Sequence, residues 1–495
     1  MDRPEPTDPT GTGDGTREVV IGLEIHVQLL TASKMFCGCA TEFGAPPNTL
    51  VCPVCLGLPG SLPVLNRKAV ELGLRAAVAL GCQVHSSSRF HRKNYYYPDL
   101  AKNYQISQYQ YADHPPLATG GSLEIPSGGR PRRVAIRRVH LEEDTARLVH
   151  PPSTGGASPS LVDYNRSGVP LMEIVTEPDL RSPGEAREFL NALRRLLQFA
   201  EVSSCRMEEG TLRCDANLSL QFPGGPPGVR TEVKNMNSVR AVERALAFEA
   251  VRQREVLARG ETVVQETRHW DERRSVTFAS RSKEEAEDYR YFPEPDLVPL
   301  DVDGAWVAAI REALPELPAA RRDRLIANFG LPRYDADLIT ATPAMARFFE
   351  ETVALGPPPK VVANWLSGAV AAYLNEHGVE IDQIALTPAR LSALLRLVEE
   401  GTVSGRTAKD ILVEIIARDQ EPEAVVEARG LRQISDEATL REVVDQVIAG
   451  HPGPAAEIRA GKVRALPFLV GQVMRATGGR ANPEVANRLL RERLS

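Results

Sequence analysis

Residues 17–30 read REVVIGLEIHVQLL. Ile21, Leu23, Ile25 and Val27 alternate with Gly22, Glu24, His26 and Gln28. A two-residue period sends the two sets to opposite sides of a strand. This strand therefore offers one apolar side to a core and one side carrying an acid and an imidazole. Residues 212–222, LRCDANLSLQF, repeat the design, with Arg213, Asp215, Asn217 and Ser219 alternating with Cys214, Ala216, Leu218 and Leu220. RVAIRRVHLEEDTARL (133–148) and VRTEVKN (229–235) are further predicted strands. Helices are interspersed. Ser182-Pro183 opens one that runs toward Phe199, with Pro at the first helical position. Another covers Arg240 to Arg259 and stops at Gly260. Strands and helices without regular alternation indicate an α+β fold with a largely antiparallel sheet.

Beyond Pro293-Glu294-Pro295 the text turns helical. Leu391, Leu394, Leu395 and Val398 follow the Thr387-Pro388 start signal, and Leu440, Val443, Val444, Val447 and Ile448 repeat the helical spacing. The chain of 495 residues suggests about three domains. We place a disordered extension at 1–16, an α+β domain at 17–300, a helical linker domain at 301–355 and a helical tail at 356–495. The net charge of −6 gives no general basic excess, so any RNA contact has to come from local patches. No apolar run reaches the length of about 20 residues that spans a bilayer. Met1 to Thr16 has no apolar core of a signal peptide, so the expectation is a cytoplasmic protein with reduced thiols.

Four of the seven cysteines cluster at Cys37, Cys39, Cys52 and Cys55. Paired cysteines at short spacing each build half of a tetrahedral zinc site, and a closed four-thiolate site is structural because no position stays open for water. The alternative is four buried, inert thiols. Several polar strand faces carry acids: Glu24 with His26, the run His140 to Asp144, Glu208-Glu209, Asp215 with Asn217, and Glu232 with Lys234. Converging carboxylates with one imidazole suit Mg²⁺ or Mn²⁺, which in turn hold phosphates. Arg92, Lys93, Lys102, Arg137, Arg138, Arg213 and Lys234 are the basic residues able to complement a triphosphate. There is no GxxxxGK[ST], no GxGxxG on a strand-turn-helix and no GxSxG elbow. A nucleotide would thus be handled on a sheet face through metals.

A set of long runs carries a more specific message. VIGLEIHVQL (20–29), FHRKNYYYPDLAKNYQISQY (90–109), HLEEDTARL (140–148), DYNRSGVPLMEIVTEPD (163–179), EEGTLRCDANLSL (208–220), EVKNMNSVRAVERAL (232–246), QETRHWDE (265–272) and DYRYFPEPDLVPL (288–300) closely resemble the B subunits of the tRNA-dependent amidotransferases, the GatB family. NWLSGAV (364–370), GTVSGRTAKDI (401–411) and FLVGQVM (468–474) extend the resemblance through the tail. It implies a catalytic cradle of the glutamine synthetase type, a small helical domain and a YqeY-like tail that holds tRNA. It implies ATP-dependent phosphorylation of the side-chain carboxylate of Glu-tRNA(Gln) or Asp-tRNA(Asn), followed by amidation. An amidase-type A subunit would supply the ammonia and a small C subunit would brace the pair.

The resemblance assigns Glu24, His26 and Glu143 to Mg²⁺. Glu142, Glu209 and Asp215 are the candidate catalytic or second-metal carboxylates. Lys93, Arg213 and Lys234 are the candidate ATP contacts. Cys37, Cys39, Cys52 and Cys55 match the zinc-bearing members. Lys462, Arg464, Arg475 and Arg480 head a basic set, continued by Arg488, Arg491 and Arg493, that would hold tRNA by its phosphates. Two rivals stand beside this reading: a free-standing ligase resembling glutamine synthetase, and a non-enzymatic, zinc-stabilised RNA-binding subunit.

Overall fold

The computed structural model describes residues 17–108, 114–151, 159–280, 289–434, 436–461 and 463–494. The expected extension at 1–16 and Lys462 lie outside the described residues. The chain divides into two compact units, Met1–Leu317 and Pro318–Ser495.

The first unit is a sheet with helices on one side. Its main strands are β1 (Glu18–Gln28), β2 (Phe90–Asn94), β3 (Tyr104–Gln108), β4 (Arg130–Glu143), β5 (Pro170–Thr176), β6 (Leu212–Gln221), β7 (Thr231–Lys234), β8 (Thr267–Asp271) and β9 (Val276–Ala279). They lie in the order β9-β8-β7-β6-β1-β5-β4-β3-β2, with Phe292–Pro293 added beyond β2. Every pairing along this order is antiparallel except β7 with β8. The expected antiparallel character therefore holds across the centre, and β1 is the central strand.

Helices α1 (Arg67–Ala79), α2 (Pro183–Phe199) and α3 (Val239–Ala258) belong to the core beneath the apolar side. Ser182 caps α2 by accepting the Glu185 amide at 3.1 Å, and Ser238 caps α3 by accepting that of Ala241 at 3.0 Å. Gly260 ends the second of these helices at φ +76°, a left-handed geometry that suits glycine. Leu23 and Ile25 of β1 are 1% and 0% exposed and share one core with Phe189, Leu193 and Leu246. Burying each such side chain contributes about 1.5–3 kcal/mol. The apolar letters of the strand thereby fix which side is left for chemistry.

The expected boundary near 300 falls later. Helix α4 (Gly304–Ala313) packs on α1, and Ile310, Trp306, Val307, Leu314 and Leu317 join the sheet core. The second unit is helical. One core runs from Leu325 to Val426 and another from Leu440 to Leu494. The first of these cores passes straight through the boundary expected at 355/356. Phe348 and Phe349 before the Gly356-Pro-Pro-Pro run share it with Val362 and Leu366 after it. Among the described residues, no helix is long and apolar enough to cross a membrane.

Candidate active site on the polar sheet face

Residues opposite one another across an antiparallel pair share a face. His26 lies opposite Glu173 of β5 on one side and Arg213 of β6 on the other. Glu173 in turn lies opposite His140 of β4. Glu24 lies opposite Asp215, and Asn217 opposite Glu232 of β7. One row of polar side chains therefore crosses the four strands β4, β5, β1 and β6, and neighbouring rows carry the polar face on to β7.

Its centre is a triad of metal-ligating type. The ligand atoms of His26, Glu142 and Glu173 all lie within 4.8 Å of one another. His26 Nε2 sits 3.5 Å from Glu142 Oε1 and 3.3 Å from Glu173 Oε2. His140 Nε2 backs both carboxylates, at 3.6 Å from Glu142 and 3.4 Å from Glu173. Ser107 donates to Glu142 at 3.0 Å, and Arg138 meets Glu173 at 3.2 Å. Burial alone would raise Glu142, but the hydrogen bond from His140 and the charge of His26 hold it below its ordinary range. Glu173 is held down likewise, burial being outweighed by His140, His26 and Arg138. For His26 burial opposes the charge, yet the hydrogen bond to Glu173 and the two carboxylates push it up to about 9. A proton on His26 thus fills the electrostatic place that a divalent cation would take. Two carboxylates and one imidazole are a fitting donor set for an oxygen-preferring metal.

Beside this triad lies a second acidic group. Burial, followed by the charges of Glu173 and Glu232, raises Glu24 above its ordinary value. Asn217 Nδ2 is 3.4 Å from Glu24 Oε1. Lys234 bridges Asp215 at 2.8 Å and Glu232 at 3.1 Å, and these anions hold its ammonium above its ordinary range although burial opposes it. An open cavity of about 330 Å³ is lined here by Glu24, Asn217, Arg230, Glu232 and Thr267. That volume is at the lower end of small-molecule sites.

Glu143 does not join Glu24 and His26, which corrects its expected place. Neighbours in a strand face opposite ways, so Glu142 turns to the polar face and Glu143 away from it. The buried Glu143 carboxylate pairs with Lys102 and accepts the Ile106 amide at 2.9 Å. It borders a cavity of about 60 Å³ shared with Cys37, Cys55 and Gly168.

The four cysteines converge as expected. The Sγ atoms of Cys37, Cys39, Cys52 and Cys55 all lie within 4.8 Å of one another, and this set could hold a metal. Cys52 and Cys55 are 3.9 Å apart at sulfur. A tetrahedron with zinc–sulfur bonds of about 2.3 Å has edges of about 3.8 Å, so the donor set fits. The Cys55 thiol is lowered to about 4, chiefly by a hydrogen bond from Cys37, with help from Lys34.

Comparison with known proteins is decisive for the family. The model described as GatB/GatE catalytic domain matches residues 19–308, and that described as GatB domain matches 347–494. The chain is 55% identical over 478 residues to a protein of Moorella thermoacetica, covering 96% of this chain and 99% of that one. It is 54% identical over 480 residues to one of Thermomicrobium roseum, covering 96% and 98%, and 49% identical over 500 residues to one of Thermosynechococcus vestitus, covering 99% of each. All three carry the name of the B subunit of aspartyl/glutamyl-tRNA(Asn/Gln) amidotransferase. The chain belongs to the GatB family.

The other expected residues sit as follows in this GatB chain. Arg213 is on the polar face and pairs with Asp144 at 2.9 Å. Asp215 and Lys234 face each other on it. Lys93 is on β2, with Nζ 4.9 Å from the Tyr289 ring centre and 6.0 Å from that of Tyr95. Glu209 lies in the turn before β6 and pairs with Arg206 at 2.8 Å. Within the GatB domain match, Arg464 and Arg475 are exposed. Arg480 ties down backbone, donating to Thr477 O at 3.2 Å and Gly430 O at 3.4 Å. Arg488 and Arg493 pair with Glu437 and Asp445 at 3.3 and 2.9 Å, so acids offset part of the tail's basic excess. Sequence reasoning left Glu173 unassigned. Its signal was a lone charge in the apolar strand PLMEIVT, where burial of every residue removes the polar–apolar alternation.

Proposed function

We propose that this chain is the B subunit of an aspartyl/glutamyl-tRNA amidotransferase and that its polar sheet face activates the substrate's side-chain carboxylate. The observation that carries the reading is the triad of His26, Glu142 and Glu173 at the centre of an otherwise open acidic face. A carboxylate is a poor electrophile, because ammonia would have to expel oxide. Attack of the carboxylate oxygen on the γ-phosphorus of ATP forms an acyl phosphate and releases ADP. Ammonia then attacks the acyl carbon, and the carbon–oxygen bond to phosphate breaks. The first step brings two anions together and the second expels an anionic phosphate, so both need cationic positioning rather than a covalent nucleophile.

A Mg²⁺ held by His26, Glu142 and Glu173 would supply positive charge at the phosphoryl oxygens. Arg213 lies in register beside that position, Lys234 stands with Asp215 and Glu232 by the second acidic group, and the cavity beside Glu24 is the space for the nucleotide. We assign zinc to the four cysteines as a structural centre, and phosphate contact with tRNA to Arg464 and Arg475. An amidase-type A subunit supplies ammonia and a small C subunit steadies the assembly. Neither rival reading is favoured by a specific observation.

The test uses the chain co-produced with its A and C subunits, ATP, Mg²⁺ and free ammonia in place of glutamine. Conversion of Glu-tRNA(Gln) to Gln-tRNA(Gln), or of Asp-tRNA(Asn) to Asn-tRNA(Asn), is expected, and Glu142→Gln abolishes it. Amidation of free glutamate without tRNA would instead establish the free-standing ligase. Undiminished conversion by Glu142→Gln would remove the chemistry from this face.

A further inference from the structure

We propose that the four-cysteine centre acts on the polar face from a distance: Lys34 and the segment 163–168 carry its position to Asp144, and Asp144 sets Arg213. The proposal rests on the amidotransferase reading for the role of Arg213 and for its activity and nucleotide readouts.

Lys34 is 0% exposed. A buried ammonium without a counter-charge costs several kcal/mol. Among the described residues Lys34 has no ion pair to a carboxylate. Its Nζ lies 3.6 Å from Cys55 Sγ and donates to Tyr164 O at 3.4 Å. Four thiolates around a divalent ion carry a net charge of two minus, so Lys34 supplies part of the compensating charge while gripping the next segment. Ser167 Oγ adds a contact to Cys55 O at 3.4 Å, and Met35 N donates to Gly168 O at 2.8 Å. From the other end of the knuckle, Leu50 N donates to Asn165 Oδ1 at 2.8 Å, and Tyr164 N donates to Asn48 Oδ1 at 2.7 Å.

The segment 163–168 passes the constraint on. Gly168 N donates to Asp144 O at 2.9 Å, and Asp144 N donates to Val169 O at 2.8 Å. Arg166 holds Thr145 O at 3.1 Å and Ala146 O at 3.2 Å, and meets Asp144 Oδ2 at 3.3 Å. The other carboxylate oxygen, Asp144 Oδ1, takes Arg213 Nη2 at 2.9 Å. Arg213 lies in register with His26. Asp144 is 4% exposed, so its oxygens have little water to exchange for these arginines. A cation that stabilises phosphoryl transfer works only if already in place. Asp144 is in this sense a positioning residue, and the cysteine centre is the anchor of the loop that presents it.

Epistasis tests the chain of contacts. Asp144→Asn, Arg213→Met and their double variant are made in the complex with its partner subunits. Each single variant is expected to lower kcat by about 10-fold or more, the scale seen when residues supporting a site are removed. The double variant is expected to be no worse than Arg213→Met. A double loss equal to the product of the single losses overturns the link between Asp144 and Arg213. On the same preparations, a fluorescent ATP analogue is expected to bind more weakly to both single variants. Asp144→Glu, which keeps the anion, recovers at least half of that lost affinity; equal loss in both overturns the charge-based role.

Lys34→Met tests the first link without relying on activity. Transfer of zinc to a chromophoric chelator is expected to accelerate by about 10-fold or more, and Lys34→Met added to Arg213→Met leaves kcat where Arg213→Met put it. An unchanged release rate, or a further loss of kcat, overturns the link. Failure of the wild-type complex to amidate tRNA would count against the amidotransferase reading, while the zinc-release measurement would still decide the link from Lys34 to the cysteine centre.

Discussion

Replacing Glu173 with Gln removes one negative charge from the middle of the polar face while keeping the side chain's shape. Glu173 meets His26 at 3.3 Å, His140 at 3.4 Å and Arg138 at 3.2 Å, with 12% of its side chain exposed. Removing one partner of a buried ion pair costs about 3–5 kcal/mol, and the remaining exposure argues for the lower end, about 3 kcal/mol. Urea denaturation of the metal-free chain reads this. The loss should depend on pH with a definite sign. Glu173 is held below its ordinary value, so its stabilisation is complete above the unfolded value of about 4.3 and fades as pH falls below that. The wild-type advantage should therefore shrink in acid. If Glu173 also holds the metal, the Mg²⁺ concentration that half-saturates amidation should rise by about 100-fold or more, since even residues that only orient ligands are worth 10–100-fold. A variant that is about 3 kcal/mol less stable with an unchanged Mg²⁺ curve would make Glu173 a counter-ion and refute its place as a ligand.

Three further outcomes are expected. The metal-free His26 imidazole is pushed up to about 9, so a metal must displace its proton. Apparent Mn²⁺ affinity by calorimetry should rise about tenfold per pH unit from neutrality to about 9 and then level off, and a flat profile over that range would contradict this. By the same linkage, the stabilisation from protonated His26 is complete below about 6.5 and lost as pH rises through about 9. Arg92 grips Glu294 through two hydrogen bonds of 2.7 and 2.8 Å, and the Glu294 side chain is 0% exposed. Glu294→Ala should cost about 3–5 kcal/mol in urea, and a loss under about 1 kcal/mol would show that water replaces the pair. Cys52→Ser should lower the zinc content after dialysis against chelator and lower the melting temperature, and full zinc retention would remove Cys52 from the ligand set.

Much of this was legible in the chain. The alternation from Ile21 to Gln28 named both the core side and the polar side of β1, and Ser182-Pro183 and Gly260 marked helix ends because capping is a local matter. Adjacent letters misled at Glu142 and Glu143, where the acid pair reads as one unit although a strand sends its members to opposite sides. Glu173 escaped because β5 is covered throughout, so burial hid the period that exposes a functional face. The boundary near 300 failed for a related reason: the Pro-rich change of texture marks where strands end, whereas α4 packs back onto α1 through contacts far apart in sequence.

Strand β1 has helices under one side and the titratable groups Glu24 and His26 on the other. Folding and chemistry are thus written on alternate letters of the same word. In a saturation library of Ile21 to Gln28, selection for soluble expression should act on Ile21, Leu23, Ile25 and Val27. Selection for amidation should act on Glu24 and His26, and the two spectra of tolerated substitutions should interleave with a period of two. Such a strand can exchange its reaction without renegotiating its core.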